Sequence, residues 1–268
     1  MKVTYIAHSG FLVETKTACL LFDYWKGEIP VMNPAKPLVV FVSHRHHDHY
    51  NPAVWKLREQ YPLVHYVLGF DIPFPERERR KYGLSDAWTA QRALIARAAK
   101  TYEITLENGT AVTIETFLST DEGVAFYVTV RETAKDSGAD QSQTAALNSM
   151  PEDTVTIYHA GDLHLWLWEE NGPNYIRHMK RDFERITKNL QGRDLDVGFF
   201  LLDERLGNTA FAGMDAYLEM MHVRYAFPMH MWKNYALTNR YLEAREDMPQ
   251  AKALQRVSRE GEVFFLPL

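Results

Sequence analysis

The chain has 268 residues, of which 46% are hydrophobic and 24% are charged, a balance typical of a water-soluble globular protein. Its formal net charge of −5, without a long basic stretch, argues against nucleic acid as the main partner. No apolar run is long enough to span a membrane and the first residues lack the apolar core of a signal peptide, so we expect a cytoplasmic protein without membrane contact.

The first part of the chain has the pattern of short strands. It predicts a β-meander followed by a strand buried on both faces, at residues 3–7, 11–14, 18–23 and 38–42. Cys19, the only cysteine, excludes an internal disulfide and fits a reducing compartment. It is expected to be a small buried residue rather than a reactive thiol. Asn51 and Pro52 then supply a cap and a first-turn proline for a helix that runs to about residue 60.

The rest of the chain alternates between predicted strands and helices. Helices are predicted at residues 75–100, with an interruption near Gly83, and at 174–190, 214–222 and 249–258. Strands are predicted at 112–117, 124–130, 155–159, 197–202, 225–227 and 263–266. Residues 132–153 are rich in Ser, Ala, Gln, Thr and Asp, which predicts a mobile surface connection. No linker divides the chain, so we expect one domain over residues 1–268, with two facing sheets and helices outside them.

A cluster of histidines follows the buried strand at residues 38–42. Residues two apart in an extended segment point the same way, so His44 and His46 can bind one ion together. Asp48 and His49 lie where the chain bends toward the helix and could reach a second ion. Imidazole and carboxylate suit zinc, manganese or iron, and the lack of thiolate argues against a structural zinc finger. An exposed polar loop rich in histidine is the weaker interpretation, because four of the 11 histidines fall between residues 44 and 49.

The run His44-Arg45-His46-His47-Asp48-His49 resembles the His-x-His-x-Asp-His motif of the metallo-β-lactamase superfamily and matches it in full. The opening segment at residues 8–14 is similar to branches that include sugar-phosphate lactonases and phospholipid hydrolases. The resemblance implies a four-layer αββα sandwich with a metal site along one edge of the paired sheets. It also implies a role for further residues: Asp162 as the bridging aspartate, His230 as the last histidine ligand and Asp23 as the residue that orients the metal loop.

The sequence departs from the family pattern at one position. The family supplies a further histidine between the motif and the bridging aspartate, and the equivalent stretch at residues 118–123 has none. Asp121 is the predicted substitute ligand, since it lies on the expected turn and carries a charge; Ser119, Thr120 or water are weaker alternatives. The two metal positions are therefore expected to be unequal. The tighter one would use Asp48, His49, Asp162 and His230.

Other residues near the motif have two interpretations each. His8 is a candidate substrate contact or a turn-stabilising residue. His159 and His164 are candidate ligands or residues that hold ligands, and packed histidines are an equal alternative. Trp166 and Trp168 are expected in the core rather than in a pocket wall. Arg205 could hold an anionic group, but a surface ion pair with Asp203 is the preferred interpretation.

The resemblance implies hydrolysis by a metal-activated water, with Asp48, Asp162 or a histidine of the site handling the proton. We expect one or two divalent ions, zinc before manganese or iron, and a small ester, lactone or phosphodiester-like substrate that could be anionic. Two alternatives stay open: a mononuclear iron oxidoreductase of the same fold, and a metal-dependent binding protein with little catalysis. A homo-oligomer is compatible with the sequence.

Overall fold

The computed structural model describes residues 1–132 and 154–267, and its strands form two mixed sheets. In chain order the strands are β1 (Lys2–Ala7), β2 (Gly10–Glu14), β3 (Cys19–Phe22), β4 (Leu38–Val42), β5 (Val64–Gly69), β6 (Ala93–Ala96), β7 (Thr101–Thr105), β8 (Ala111–Leu118), β9 (Val124–Arg131), β10 (Thr154–His159), β11 (Asp194–Leu201), β12 (His222–Met229) and β13 (Glu262–Phe265). The first sheet has the order β13-β1-β2-β3-β4-β5-β6, and the second has the order β12-β11-β10-β9-β8-β7.

Each sheet combines antiparallel and parallel pairing. In the first sheet β13, β1, β2 and β3 pair antiparallel, and β3 to β6 run parallel. In the second sheet β7 to β10 pair antiparallel, whereas β10, β11 and β12 run parallel. The carboxyl ends of parallel strands meet at one edge of a sheet, so the loops that follow β3, β4, β10, β11 and β12 are brought toward common edges.

The described residues form five α-helices. They are α1 (Glu76–Lys81), α2 (Asp86–Arg92), α3 (Gly172–Thr187), α4 (Ala212–Met220) and α5 (Ala236–Ala244), with 3₁₀ segments at Pro52–Glu59, Glu169–Asn171, Lys188–Leu190, Glu204–Thr209 and Pro249–Ala253. Helix α2 contacts β5 and β6 of the first sheet, and α3 and α4 contact the second sheet. Among the described residues, no helix has both the length and the apolar composition that a membrane span needs.

The main core lies between the two sheets. Along β4, Val39 and Phe41 point into this core, while Val40 packs with the outer layer of the first sheet. The alternation follows from the period of two in a strand, and it explains why the whole β4 sequence is apolar. Phe11 of the first sheet stacks on Phe199 of the second, with ring centroids 4.1 Å apart. The predicted four-layer αββα sandwich is confirmed.

Several predicted elements differ in detail. The helix predicted over residues 75–100 ends at Arg92, because the apolar run that follows it pairs with β5 as the strand β6. A short apolar run fits a helix or a strand equally well, and here the sheet decides. Strand β7 and helix α5 were not predicted, and the helix predicted over residues 249–258 is only the 3₁₀ segment Pro249–Ala253. The predicted connection at residues 132–153 lies outside the described residues, apart from Glu132.

Candidate metal centre

Four loops meet at one edge of the two sheets. The motif loop leaves β4 and enters the segment Pro52–Glu59, whose start is capped by the Asn51 side chain, an acceptor from the backbone N–H of Ala53 at 2.9 Å. Asp162 follows β10, and His230 follows β12. The β1–β2 turn brings His8 to the same place, since the backbone N–H of His230 donates to the carbonyl of His8 at 3.3 Å.

Within the described residues, three overlapping groups of side chains could hold metal ions, and one of them, Asp23, His44 and His49, includes the carboxylate behind the motif loop. The other two are called the ligand groups. The first group is His44, His46 and Asp162, and the second is His8, Asp48, His49 and His230; within each group one ligand atom per residue lies within 4.8 Å of the others. Asp162 lies between the groups. Its Oδ2 is 3.5 Å from Nε2 of His44, and its Oδ1 is 3.1 Å from Nε2 of His49 and 3.8 Å from Nε2 of His230.

Four of the facing atoms of these side chains are buried and lack hydrogen-bond partners. They are Nε2 of His8, His49 and His230 and Oδ1 of Asp162, none of which has a partner with hydrogen-bond geometry. Burying such polar atoms without partners is costly, and a cation that accepts their lone pairs would remove this cost. The donor set, imidazoles and carboxylates without thiolate, suits a divalent ion such as zinc, manganese or iron. The residues present therefore fit a bound divalent metal.

A buried carboxylate orients the motif loop from behind. Asp23 directly follows β3 and accepts hydrogen bonds from the backbone N–H and the hydroxyl of Ser43, at 2.7 Å and 2.6 Å. Its Oδ2 is also 2.8 Å from Nδ1 of His49, and the Ser43 hydroxyl is 2.8 Å from Nδ1 of His44. The outer nitrogens of both histidines are thus fixed, which leaves their Nε2 atoms directed toward Asp162. This is the place expected for Asp23.

A second buried carboxylate, that of Asp203, orients the imidazole of His230. Asp203 has no solvent exposure, and its Oδ2 lies 2.9 Å from Nδ1 of His230. The predicted ion pair between Asp203 and Arg205 is present, but it is not a surface pair, because Asp203 is buried behind the metal centre. The sequence did contain a signal for it: Asp203 follows the buried strand β11 in the same way that Asp23 follows β3.

Burial and neighbouring charges shift the pKa values of the candidate ligands. Burial alone would raise the pKa of Asp162, but the imidazoles of His49 and His230 hold it well below its ordinary value. Burial acts to lower the pKa of His49, yet Asp162 and Asp23 outweigh it and raise that pKa. Burial lowers the pKa of His44 to about 4. At neutral pH Asp162 is therefore ionised and His44 is neutral, which are the forms that bind a metal, whereas His49 would release a proton when a metal binds.

Comparison with known proteins identifies the family. A family model described as "Beta-lactamase superfamily domain" matches residues 2–174. This chain belongs to the metallo-β-lactamase superfamily. A comparison with curated proteins found no match.

Two solved structures illustrate how the superfamily fold is shared. The metallo hydrolase Igni18 of Ignicoccus hospitalis is similar with 15% identity and a TM-score of 0.55, over 99% of each chain. CmlA of Streptomyces venezuelae, a diiron β-hydroxylase, is similar with 10% identity and a TM-score of 0.57, over 99% of this chain and 54% of its own. At these identities the likeness shows the fold alone.

Two of the candidate histidines, His159 and His164, lie outside the ligand groups. His159 donates through Nε2 to the carbonyl of Ser9 at 2.9 Å and accepts through Nδ1 from the backbone N–H of Gly161 at 3.1 Å. Both of its nitrogens are engaged, so it is placed to hold the turn before Asp162 rather than to bind metal. His164 is fully buried against Trp166, outside the ligand groups, and burial lowers its pKa to about 4.

The position of the missing superfamily histidine is filled by a polar turn. Asp121 has its Oδ2 4.0 Å from Nδ1 of His46 and lies outside both ligand groups. The Ser119 hydroxyl accepts from the backbone N–H of Asp121, and the Thr120 hydroxyl is bonded to the backbone of His164. Asp121 is thus the one of the three whose side chain is directed to the centre, and its role as a ligand stays a prediction.

A cavity of about 270 Å³ opens beside the centre. Its walls include the metal-centre residues Asp48, Asp162 and His230 together with side chains from three other segments: Trp166, Trp168, Tyr175 and Arg205. Both tryptophans were expected in the core, and Trp166 is indeed buried, but they also form one wall of the cavity, with their rings stacked at a centroid distance of 5.9 Å. A small molecule in this cavity would contact the metal centre directly.

Proposed function

We propose that this protein is a metal-dependent hydrolase that cleaves a small ester, lactone or phosphodiester-like substrate. The observation that carries the proposal is the position of Asp162, buried between two groups of ligand atoms and close to both. A carboxylate in this position can bridge two ions, and it lies in the wall of a cavity sized for a small molecule.

We assign the ligands from the two ligand groups, with Asp162 shared by both ions and His8 kept for proton handling. His44, His46 and Asp162 would hold one ion, with Asp121 as an added ligand; Asp48, His49, Asp162 and His230 would hold the other. A bound divalent ion would activate a water molecule for attack at neutral pH, because such ions lower the pKa of bound water from about 15.7 toward about 7. Zinc is the first choice, and manganese or iron are alternatives for the same donor set.

We assign proton handling to His8 and Asp48. Nε2 of His8 is 3.3 Å from Oδ2 of Asp48, and both side chains are buried. Burial lowers the pKa of His8 to about 4, so its imidazole is neutral at pH 7 and can accept a proton or pass one on. His8 has a φ of 55°, a strained value for a residue other than glycine. The strain is consistent with a side chain that is held in place for a function.

The test combines metal analysis with a substrate panel. Protein expressed with defined zinc, manganese or iron is assayed on esters, lactones and phosphodiesters, together with two variants. Asp162→Asn should lose bound metal and turnover and keep its fold. His47→Ala is the matched control from the same loop, since its side chain is 80% exposed and outside the ligand groups; it should keep both.

Three results would contradict the proposal. Normal metal content and turnover in Asp162→Asn would remove Asp162 from the centre. Tightly held iron with oxygen consumption and no hydrolysis would indicate the oxidoreductase alternative, for which the fold of the diiron hydroxylase CmlA offers a precedent. Metal binding without turnover on the whole panel would favour a binding protein.

A further inference from the structure

Arg205 lies at the rim of the metal-centre cavity, in the 3₁₀ segment Glu204–Thr209 that follows β11. Its guanidinium is within 4.9 Å of the ring centroid of Trp232 and 5.8 Å of that of Trp168. The side chain is 46% exposed, so the charged group is neither buried in the protein nor free in solvent. It is the only Lys or Arg among the described residues that line this cavity.

Asp203 fixes one edge of this guanidinium. Nε of Arg205 is 2.9 Å from both carboxylate oxygens of Asp203, and Nη2 also donates to Oδ2. Within the described parts of the chain, residues 1–132 and 154–267, Nη1 has no acceptor. A guanidinium has five N–H donors in a planar fork, so one bound edge leaves donors for another anion.

The carboxylate that holds Arg205 also holds a candidate metal ligand. Oδ2 of Asp203 is 2.9 Å from Nδ1 of His230, so His230 and Arg205 are oriented by one buried group. This arrangement sets the distance between the metal centre and the guanidinium. A molecule with one group on the metal and a second, anionic group on Arg205 would span the cavity.

Resting on the proposed function, we propose that Arg205 binds an anionic group of the substrate, so that the substrate is a small ester or lactone carrying a separate carboxylate or phosphoryl group. Asp48, Asp121 and Asp162 make the cavity acidic, but all three carboxylates belong to the proposed ligand sets, where bound ions would offset their charge. Arg205 is then the side chain that selects for negative charge. The two indoles that contact it restrict its motion, which lowers the entropic cost of binding.

The test measures binding and does not depend on turnover. Zinc-loaded protein is titrated calorimetrically with propionate, succinate, glutarate and 3-phosphonopropionate. Each molecule has a carboxylate for the metal, but only the last three have a second anionic group for Arg205. We expect the dianions to bind about tenfold or more tightly than propionate, as charge-assisted hydrogen bonds are strong. Comparison of glutarate with 3-phosphonopropionate identifies which anionic group Arg205 prefers.

Variants assign the preference to Arg205. Arg205→Met should bring the ratio of dianion to propionate affinity close to one, and Arg205→Lys should keep part of it. Arg45→Met is the matched control, because Arg45 also pairs with a carboxylate near the centre, with Nε 3.0 Å from Glu122, but does not line the cavity. Its ratio should equal that of the unmodified protein. Zinc content is measured in each variant. If Arg205→Met loses zinc, the ratio of dianion to propionate affinity in Arg205→Lys is compared with that of the unmodified protein instead.

The proposed binding of an anionic group by Arg205 would be refuted by equal affinities for dianions and propionate in the unmodified protein. It would also be refuted by a ratio that survives in Arg205→Met, or by an equal loss in Arg45→Met. A preserved dianion preference without hydrolysis of any panel substrate would support anion binding by Arg205 and refute the proposed hydrolase function. Where hydrolysis is found, Arg205→Met should raise KM for an anionic ester more than for its neutral methyl ester, with a smaller change in kcat.

Discussion

Nδ1 of His49 lies 2.8 Å from Oδ2 of Asp23, at a point where both side chains are buried. The same relationship recurs on the other sheet, where Nδ1 of His230 lies 2.9 Å from Oδ2 of Asp203. In each case an aspartate at the end of a strand fixes the outer nitrogen of a histidine. The inner nitrogen, Nε2, is thereby directed to Asp162. The candidate metal centre is thus supported from both halves of the sandwich.

The first prediction concerns these two supporting carboxylates. Asp23→Asn and Asp203→Asn should each weaken zinc binding by roughly tenfold to a hundredfold, the usual cost of removing a partner of a metal-binding histidine. Competition with a chromogenic chelator measures the change. Asp194→Asn is the control, since Asp194 forms a similar pair with His222, at 3.0 Å, on the exposed surface. An equal loss of affinity in all three variants would contradict a specific supporting role.

The second prediction is that the two metal positions are unequal. The group around His49 has two further imidazoles and two carboxylates within reach, whereas the group around His44 has His46 and Asp162 and only a distant Asp121. Titration followed by native mass spectrometry should show one tight ion and one weaker ion. His49→Ala and His230→Ala should lose the tight ion, and His44→Ala should lose the weaker one. Two equally tight ions would contradict the ranking, and loss of the tight ion in His44→Ala alone would reverse it.

The sequence predicted the fold because local patterns decide most of it. The continuous apolar run of β4 and the run from His44 to His49 predicted a buried strand and the loop that follows it, and both are present. The position of Asp203 behind His230 was not predicted, since it depends on how β11 and β12 pair, which is a long-range contact. For the same reason β6 was mistaken for helix: pairing with β5 is not visible in a four-residue apolar run. The roles of the site residues stay predictions.

The third prediction is that the fold survives removal of metal. The core between the sheets is built from apolar side chains such as Phe11, Phe41 and Phe199 and uses no thiolate ligand. Treatment with a chelator should therefore leave the far-ultraviolet circular dichroism unchanged and abolish metal-dependent activity. The melting temperature should fall, because an ion that binds only the folded state stabilises it. Cooperative unfolding at moderate temperature on chelation would indicate a structural metal instead.

The fourth prediction concerns Cys19, which lies on β3 with 1% exposure. Burial raises the pKa of its thiol to about 11. The reactive thiolate should therefore be scarce in the folded protein at pH 8 and increase only as the pH approaches 11. Ellman's reagent should find no rapidly reacting thiol in the native protein and one thiol per chain in guanidinium chloride. Rapid stoichiometric reaction in the native state at pH 8 would show that β3 is accessible.

The last prediction links a glycine on the turn after β8 to the position of the motif loop. Gly123 has a φ of +70°, and a Cβ atom there would lie 2.2 Å from the carbonyl oxygen of Ser43 and 2.5 Å from Cβ of His44. That carbonyl also accepts a hydrogen bond from the backbone N–H of Val124 at 3.1 Å. Gly123→Ala must therefore displace the strand end that carries His44. We expect a loss of about 2–4 kcal/mol in the free energy of unfolding, from overpacking and the strained backbone together.

Gly192→Ala separates the two contributions to that loss. Gly192 has a φ of +73°, but its added Cβ would meet no atom within 4 Å. This variant should lose only about 1–2 kcal/mol, the cost of a left-handed conformation for alanine. Urea unfolding of chelated protein measures both losses without any contribution from metal. Zinc affinity should then fall in Gly123→Ala and stay unchanged in Gly192→Ala. Equal stability losses and equal zinc affinities in the two variants would show that the turn at Gly123 does not position His44.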